Sequence, residues 1–392
     1  MEKAEKSALA QKRYRRLWRT LRLPLKLYLR LFKGFRCKTA PAIQGPVLIM
    51  SNHTSGYDEL FVAAAFPQPV RFVGGEHLWR MGKPLRFLLN RYEPVISRIK
   101  GSTDAGSAAG MLRALKSGGA VCIYPEGNMT FNGITDAFHP TTARIVKAAR
   151  GCTLVTFRVT GGYMVTPRWA AFPRRGRQQG VVQGIYTPEQ LKAMSVQQVQ
   201  ELLERDLFVN AYDEVKQSGL RYRGKRLAES LETALYLCPM CGKVGLLKSH
   251  DDRFTCKCGL ELQVDELGGF HADTAVPFSG VFQWDQWQEA RVKAMAQEED
   301  VMFSDPDQTL WEHLPDHTST KVCDGTMTLN RKGLRLGEMF FPLGEISGID
   351  LVLKDRMFFT ASGRHFFVTS KHLRSGRKYV TLFKYMKAAV TA

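Results

Sequence analysis

The sequence has no apolar segment long enough to cross a lipid bilayer, for which about 18 consecutive apolar residues are needed. The longest candidate, LFVAAAFPQPV at residues 60–70, is short and is broken by prolines. The N-terminal segment also lacks the uncharged core of a secretory or twin-arginine signal, because basic residues continue through its Leu-rich run to Lys38. These absences predict a cytoplasmic protein that reaches a membrane only from its surface.

Cysteine is scarce, with 8 in 392 residues, which is too few for a disulfide-stabilised scaffold. Four of them form two close pairs, Cys238 with Cys241 and Cys256 with Cys258, with 14 residues between the pairs. Two such pairs across a hairpin-length spacer can place four thiolates tetrahedrally around zinc. The spacing therefore predicts a zinc ribbon at 236–270. Because four thiolates close the coordination sphere, we expect the metal to be structural.

Acidic residues are also few, since 37 Asp and Glu stand against 56 Lys and Arg, a net charge of +19. Such a surplus predicts an anionic partner, which leaves nucleic acid, a phospholipid surface and an acidic substrate open. The charge is unevenly placed. Residues 1–38 hold 13 basic and 2 acidic residues, or +11 of the total. The surplus therefore lies mostly in an N-terminal arm, which we assign to residues 1–45.

The arm has a helical pattern of charge. Its basic residues recur at steps of four and three: Arg15, Arg19, Arg22, Lys26, Arg30 and Lys33. They form one stripe on a helix, and the larger apolar side chains lie away from it: Leu17, Trp18, Leu21, Leu25, Tyr28, Leu29 and Phe32. A basic amphipathic helix of this kind predicts contact with an anionic membrane surface. Nucleic-acid binding and a plain structural helix stay open, and Pro24 predicts a kink or a restart.

Short apolar runs alternate with helical segments over residues 46–165. Strand-like runs that end in polar residues occur at 46–53, 70–75, 120–127 and 153–162. This alternation predicts an α/β fold with a mainly parallel sheet covered by helices, in a domain that we assign to 46–235. Residues 188–217 also have a helical pattern. The last region, 271–392, predicts a small β-rich domain with hairpins and a closing helix, loosely similar to pleckstrin-homology-like domains.

Two polar segments directly follow predicted strands of this sheet. The first, NHTSGYD at 52–58, contains His53 and Asp58, and the second, YPEGN at 124–128, contains Glu126 and Gly127. Ligands of open α/β sheets bind at the carboxyl ends of strands, so both segments are candidates for one site. A His beside an Asp can act as a general base whose tautomer the carboxylate fixes.

These segments resemble two motifs of the glycerolphosphate and lysophospholipid acyltransferases (PlsC-like). NHTSGYD is similar to the first family motif, Asn-His-x-Ser-x-x-Asp, and YPEGN to the third, aromatic-Pro-Glu-Gly-Thr/Asn. Arg98 in EPVISR matches the Arg of the second motif, and Lys100 stands close to it. The two stronger matches lie in the family's order and at a typical separation, within residues 46–165. The resemblance covers less than a third of the chain.

The resemblance implies transfer of a fatty acyl group from acyl-CoA or acyl carrier protein to a lysophospholipid hydroxyl, with 1-acyl-glycerol-3-phosphate as the default acceptor. His53 would deprotonate that hydroxyl, and Asp58 would orient His53. No acyl-enzyme is needed, in keeping with the lack of a G-x-S-x-G nucleophile elbow in this sequence. The implied acceptor contacts are Glu126, Gly127, Asn128, Arg98 for a phosphate, and Lys100 beside it.

The chain departs from the family pattern at three points. Its second motif does not begin with Gly, Met129 stands where Arg often follows the third motif, and residues 155–159 contain no proline. Acceptor identity is therefore less determined than acyl transfer. Three arginines are candidates to replace the lost anion contact, with a solvated basic loop as the alternative: Arg168, Arg174 and Arg175.

A hypothesis of another class is an inactive acyltransferase-like fold that binds nucleic acid or serves as a scaffold. Zinc ribbons frequently contact nucleic acid, and the arm is basic. However, the segment around the cysteines is charge-balanced, and His53, Asp58 and Glu126 are all present. We therefore expect a peripheral membrane acyltransferase and regard nucleic acid as an unlikely partner.

Overall fold

The computed structural model describes residues 2–75, 78–79, 82–98, 105–139, 141–272, 276–314 and 318–391. The chain divides into two compact units. The N-terminal unit extends to residue 223, and the C-terminal unit contains residues 224 onward together with 169–172.

The N-terminal unit is an α/β structure. Its strands are β1 (Phe35–Cys37), β2 (Val47–Ser51), β3 (Val70–Gly75), β4 (Val95–Arg98), β5 (Ala120–Ile123), β6 (Thr153–Thr160) and β7 (Gln178–Tyr186). Its helices are α1 (Glu2–Phe32), α2 (Asp58–Ala65), α3 (Lys83–Tyr92), α4 (Ala105–Lys116), α5 (Thr141–Ala148), α6 (Gly162–Val165), α7 (Pro188–Ala193), α8 (Val196–Leu207) and α9 (Ala211–Ser218).

The strands form one seven-stranded sheet in the order β1-β7-β6-β2-β5-β3-β4. Strands β6, β2, β5, β3 and β4 run parallel, β7 is antiparallel to β6, and β1 is parallel to β7. The expectation of a mainly parallel sheet covered by helices is confirmed. Because β2 lies between β6 and β5, the loops that follow β2 and β5 leave the same edge of the sheet side by side.

Both faces of the sheet are covered, which explains the continuous apolar run of β2. Val47 and Ile49 pack into a core with α1 and α2, while Leu48 and Met50 pack into a second core with α4, α5 and α8. Every residue of β2 is buried. An uninterrupted apolar strand is the pattern expected of a parallel strand between two helical layers.

Helix α1 is bound to the body of its unit. The Tyr14 hydroxyl donates to the carbonyl of Val70 at 2.7 Å, and Trp18 Nε1 donates to the carbonyl of Phe66 at 3.2 Å. The membrane hypothesis placed Trp18 on the side facing lipid, but its ring lies in the protein core. The helix continues across Pro24 without a break in its assignment.

A different part of α1 is exposed and apolar. Six side chains of its second half form this sector, which we call the apolar strip: Leu21, Leu23, Leu27, Tyr28, Leu31 and Phe32. Successive residues of a helix turn by about 100° around its axis. On this basis the apolar strip borders the buried residues of α1 on one side, and the basic stripe borders them on the other. Helix α3 contacts α1 and adds exposed Phe87 and Leu88.

The helical pattern at 188–217 corresponds to three helices, α7, α8 and α9, and not to one. Thr187 and Gln190 form a capping box at the start of α7, and Ser195 and Gln198 form another at the start of α8. The side chain of Asn210 caps α9. Each cap satisfies free backbone N–H groups, so each new helix begins where the cap residue stands.

The C-terminal unit contains two antiparallel sheets. One has the order β11-β10-β9-β8, from β8 (Leu247–His250), β9 (Arg253–Cys256), β10 (Glu261–Val264) and β11 (Phe270–His271). The other has the order β15-β14-β13-β12-β18-β17-β16, from β12 (Met302–His313), β13 (Ser319–Asn330), β14 (Gly333–Leu336), β15 (Met339–Pro342), β16 (Ile346–Val352), β17 (Arg356–Ala361) and β18 (Arg364–Ser370). Helices α10 (Val281–Met295) and α11 (Arg377–Thr391) contact each other. The expected β-rich region with a closing helix is present.

Candidate active site

The first candidate segment is the loop between β2 and α2. Strand β2 ends at Ser51 and α2 begins at Asp58, so His53 lies in the loop and Asp58 in the first turn of the helix. His53 Nδ1 lies 2.9 Å from Asp58 Oδ2. The Asp58 side chain is fully buried, whereas that of His53 is 16% exposed. Because the carboxylate contacts Nδ1, Nε2 is the ring nitrogen that can take a proton from a substrate.

Asp58 is held by four further donors, all from the two residues after His53. The backbone N–H groups of Thr54 and Ser55 donate to Oδ2 at 2.6 and 2.9 Å. Their hydroxyls donate to Oδ1 at 3.0 Å each. Hydrogen bonds to both oxygens of a carboxylate fix its position. The loop therefore orients the group that orients His53.

The second candidate segment holds the backbone of the first. Glu126 Oε1 accepts a hydrogen bond from the backbone N–H of His53 at 2.6 Å, and Oε2 accepts one from Asp136 N–H at 3.1 Å. The backbone N–H of Thr130 donates to the carbonyl of His53 at 3.1 Å. Burial raises the pKa of Glu126 well above its usual value, and the backbone donors oppose that shift. Both backbone groups of His53 are thus fixed by residues that follow β5.

An aromatic side chain also packs against the imidazole of His53. The Tyr124 ring stacks on the His53 ring with 4.2 Å between centroids and 19° between planes. Tyr124 is buried directly after β5. Stacking on one face and the Asp58 contact on one edge together restrict how the imidazole can rotate.

Some of the residues predicted to bind the acceptor lie close to the His53 loop and the turn after β5. Arg98, at the end of β4, is exposed, and its Nη1 lies 3.7 Å from where a Cβ on Gly127 would stand. Gly127 has φ +74°, a left-handed conformation that favours glycine. Asn128, next in the turn, is half-buried. Lys100 lies outside the described residues.

Arg168 also reaches the turn after β5, and it is not a solvated loop residue. It is buried, its Nη1 donates to the carbonyl of Met129 at 3.0 Å, and its guanidinium lies 4.1 Å from the Phe131 ring centroid. Arg174 is buried as well, whereas Arg175 is exposed. The alternative of a solvated basic loop is therefore wrong for Arg168 and Arg174.

Sequence reasoning missed Gly162, which begins α6. A Cβ at this position would stand 2.1 Å from Thr54 Oγ1, one of the donors to Asp58. The absent side chain thus leaves room for the loop of His53. The only signal in the sequence was the pair Gly161-Gly162 after β6, which does not identify the loop that it faces.

The four predicted metal ligands come together in the C-terminal unit. Cys238 Sγ lies 3.6 Å from Cys258 Sγ, and Cys241 Sγ lies 3.9 Å from Cys256 Sγ. All four sulfur atoms lie within 4.8 Å of one another. Tetrahedral zinc with Zn–S bonds of about 2.3 Å separates its sulfurs by about 3.8 Å, so these cysteines fit the ion.

Within the part of the chain that the structure describes, none of the helices combines the length and the apolar character needed to cross a bilayer.

Comparison with known proteins finds a matching family model and a similar solved structure. Residues 35–160 match the family model described as Acyltransferase. Among solved structures, the chain is similar to the crystal structure of PlsC, the 1-acyl-sn-glycerophosphate (LPA) acyltransferase of Thermotoga maritima. The sequences are 15% identical, the match covers 52% of this chain and 82% of that chain, and the TM-score is 0.40. Curated protein sequences gave no significant match.

The family match spans the part of the N-terminal unit that carries the site. It begins at β1, ends at β6, and includes both the His53 loop and the turn that contains Glu126. The resemblance drawn from these two motifs is confirmed at the level of the family, and residues 35–160 carry an Acyltransferase domain.

Proposed function

We propose that the protein transfers a fatty acyl group from a thioester to the hydroxyl of a lysophospholipid, with 1-acyl-glycerol-3-phosphate as the first acceptor to test. The observation that carries this proposal is the His53–Asp58 pair, 2.9 Å apart, beside an exposed Arg98 at the same sheet edge. A base and a cation placed together suit an acceptor that bears both a hydroxyl and a phosphate. The donor is acyl-CoA or acyl carrier protein.

In this mechanism His53 Nε2 removes the acceptor's hydroxyl proton while its oxygen attacks the thioester carbonyl. A C–O bond forms, and the tetrahedral intermediate collapses with cleavage of the C–S bond. The leaving thiolate takes the proton back from the imidazolium, so His53 returns to its starting state. Asp58 stabilises the transient positive charge. Glu126, through its bond to His53 N–H, acts as a positioning residue besides its proposed role in acceptor binding.

The test is an assay of the purified full chain with labelled acyl-CoA and acylated carrier protein against a panel of lysophospholipids. We expect His53→Ala to abolish turnover, whereas His139→Ala, an exposed histidine of the same unit, keeps it. Absence of turnover with every donor and acceptor, or full activity of His53→Ala, would favour the inactive scaffold or nucleic-acid-binding protein.

We also propose that the N-terminal unit binds an anionic membrane surface through α1. Exposed apolar side chains beside a basic stripe are the composition of a helix that lies in the headgroup plane. Helix α3, which contacts α1, also exposes Phe87 and Leu88. This interface supports a peripheral, cytoplasmic enzyme whose acceptor is a lipid.

For the C-terminal unit we propose a zinc ribbon and a separate β-rich domain. Cys238, Cys241, Cys256 and Cys258 would hold zinc, which would supply folding stability and no catalytic step. The seven-stranded antiparallel sheet followed by α11 supports the fold analogy with pleckstrin-homology-like domains. The proposed domain limits are 1–45, 46–235, 236–270 and 271–392.

A further inference from the structure

The C-terminal unit contains a cavity of about 270 Å³ that has no part in the proposed acyl transfer. It is lined by residues of β8, the first part of β12, the end of β18 with the turn that precedes α11, and the segment 232–245. The polar lining residues that matter here are Lys248, Gln308, Ser370, Arg374, Ser375 and Lys378.

Arg374 is the unusual member of this lining. It is only 6% exposed, and its Nε donates to Gln308 Oε1. Its Nη1 and Nη2 are both buried and have no hydrogen-bond partner among the described residues. Burying a guanidinium whose donors lack partners costs folding free energy. An acceptor that enters the cavity and binds Nη1 and Nη2 would remove this cost.

The nearby carboxylates do not supply that acceptor. Asp305 is bonded through Oδ1 to Lys378 Nζ and through Oδ2 to the Tyr379 hydroxyl, at 2.8 Å each. Glu232, the other acid in the lining, accepts from the Ser249 hydroxyl. Of the three cationic lining residues, Lys378 is paired with Asp305, which leaves Lys248 and Arg374 against Glu232 alone.

The backbone adds to the preference for an anion. Helix α11 has 15 residues and begins at Arg377, directly after the cavity residues Arg374 and Ser375. The free N–H groups and the positive end of the dipole at a helix start favour negative charge. Lys378, only 3% exposed, lies in the first turn of the same helix.

We propose that this cavity binds a phosphate group, either on a lipid headgroup or as a free phosphate, with Arg374 Nη1 and Nη2 as paired donors. Two parallel N–H groups of a guanidinium match two phosphate oxygens. Ser375 and Lys378 lie beside Arg374, and Lys248 is exposed at the mouth. The site lies entirely within the C-terminal unit and does not depend on acyl transfer.

The test measures thermal stability and calorimetric binding of the full chain with three probes: inorganic phosphate, glycerol 3-phosphate and dihexanoyl phosphatidic acid. Sodium chloride at equal ionic strength controls for screening. We expect a rise in Tm that grows with probe concentration. Arg374→Met should weaken binding by about tenfold or more, because it removes the charged donors. Binding of all three probes identifies a phosphate site. Binding of the lipid alone identifies a headgroup site.

Two variants separate this site from others on the chain. Arg98→Ala, at the proposed acceptor site, should leave the Arg374-dependent binding unchanged. Arg356→Gln, an exposed arginine of the same unit, should also bind phosphate like the wild type. Arg374→Met should lower the Tm of the unliganded protein only modestly, because the lost Nε bond to buried Gln308 is offset by removal of two unpaired buried donors.

A merely structural Arg374 would lower Tm equally with and without phosphate, and that result would overturn the proposal. So would wild-type phosphate affinity in Arg374→Met, or no response of the wild type to any probe. If Arg374→Met fails to fold, Lys248→Glu at the exposed mouth of the cavity tests the proposal instead. It should weaken phosphate binding through repulsion, and unchanged affinity there rejects the site.

Discussion

The side-chain amide of Asn52 forms a two-way hydrogen bond with the backbone of Val159. Nδ2 donates to the Val159 carbonyl at 2.8 Å, and Oδ1 accepts from the Val159 N–H at 2.7 Å. The pair joins the loop that follows β2 to the neighbouring strand β6, and Asn52 is fully buried. The residue directly before His53 is therefore fixed to the sheet.

Asn52→Ala should lower both stability and turnover. It leaves the buried N–H and C=O of Val159 without partners, at about 1–3 kcal/mol for each group. We expect the free energy of unfolding, measured in urea, to fall by about 2–6 kcal/mol. Because the loop also shifts His53, kcat/KM should fall by tenfold or more. Asn90→Ala, at an exposed position of α3, is the matched control. Wild-type values for Asn52→Ala would contradict this role.

Asp58→Asn should reduce kcat by about 10²–10⁴-fold, because an amide no longer stabilises the imidazolium or fixes the tautomer of His53. Ser55→Ala removes one donor to Asp58 and keeps its charge, so its effect should be far smaller. Steady-state kinetics with circular dichroism as the folding check measure both variants. Equal losses in the two would mean that the loop's geometry, and not the carboxylate charge, sets the rate.

If the apolar strip contacts lipid, point variants of α1 that remove its apolar side chains should weaken membrane binding. Leu27, Leu31 and Phe32 are 57%, 66% and 73% exposed, so their replacement by Ser removes little folded-state packing. At about 1.5–3 kcal/mol for each side chain that leaves lipid, the triple variant should bind phosphatidylglycerol vesicles at least tenfold more weakly.

The control for this experiment is Val196→Ser with Phe208→Ser, two exposed apolar residues at the ends of α8. Cosedimentation with the vesicles measures both proteins. Equal cosedimentation of the triple variant and the wild type rejects α1 as the interface. Deletion of residues 1–38 is a poorer test, because it also removes buried Trp18 and Phe35.

Metal analysis of the purified chain should find one zinc per molecule. Cys241→Ser should lose that zinc and lower Tm, because zinc binding contributes directly to folding of such sites. Cys323→Ser, a half-buried cysteine outside the cluster, should keep the metal. A zinc-free wild type, or a Cys241→Ser variant with unchanged Tm, would contradict the ribbon.

Glu214 predicts a dependence of stability on pH. Burial raises its pKa to about 7, against the opposing effects of the Gly161 N–H and Arg158. A raised carboxyl pKa contributes stability that is full below the unfolded value of about 4.3 and is lost as pH rises toward 7. Glu214→Gln should therefore flatten the fall in Tm between pH 5 and pH 8. Glu201→Gln, exposed on α8, should give the same dependence of Tm on pH as the wild type. Parallel curves for all three proteins would exclude Glu214 as the cause.

The parts of the fold that followed from sequence are those encoded locally. Four of the five parallel strands, β2, β3, β5 and β6, lie at the predicted apolar runs, whereas β4 (VISR) was not predicted, and the catalytic candidates stand directly after β2 and β5. The division of 188–217 into three helices was also encoded, in the capping boxes that begin at Thr187 and Ser195, but helical periodicity alone obscured it.

The remainder depends on contacts between distant residues. Trp18 could not be assigned to lipid or to protein, since both are apolar environments and an amphipathic pattern does not distinguish them. Gly162 lies 108 positions from Thr54, and no local signal connects the two. The buried Arg374 is likewise visible only once β12 and the turn before α11 are brought together.

The hydrogen bonds of Tyr14 and Trp18 make α1 a rigid part of the domain and not a flexible tether. A bilayer that takes up the apolar strip therefore fixes the tilt of the whole catalytic sheet relative to the membrane plane. The protein then loses orientational entropy once, when it binds the membrane, and not again at each turnover. Under the proposed function, diffusion of the membrane-bound protein would be two-dimensional, with the sheet edge that carries His53 at a constant height above the lipid.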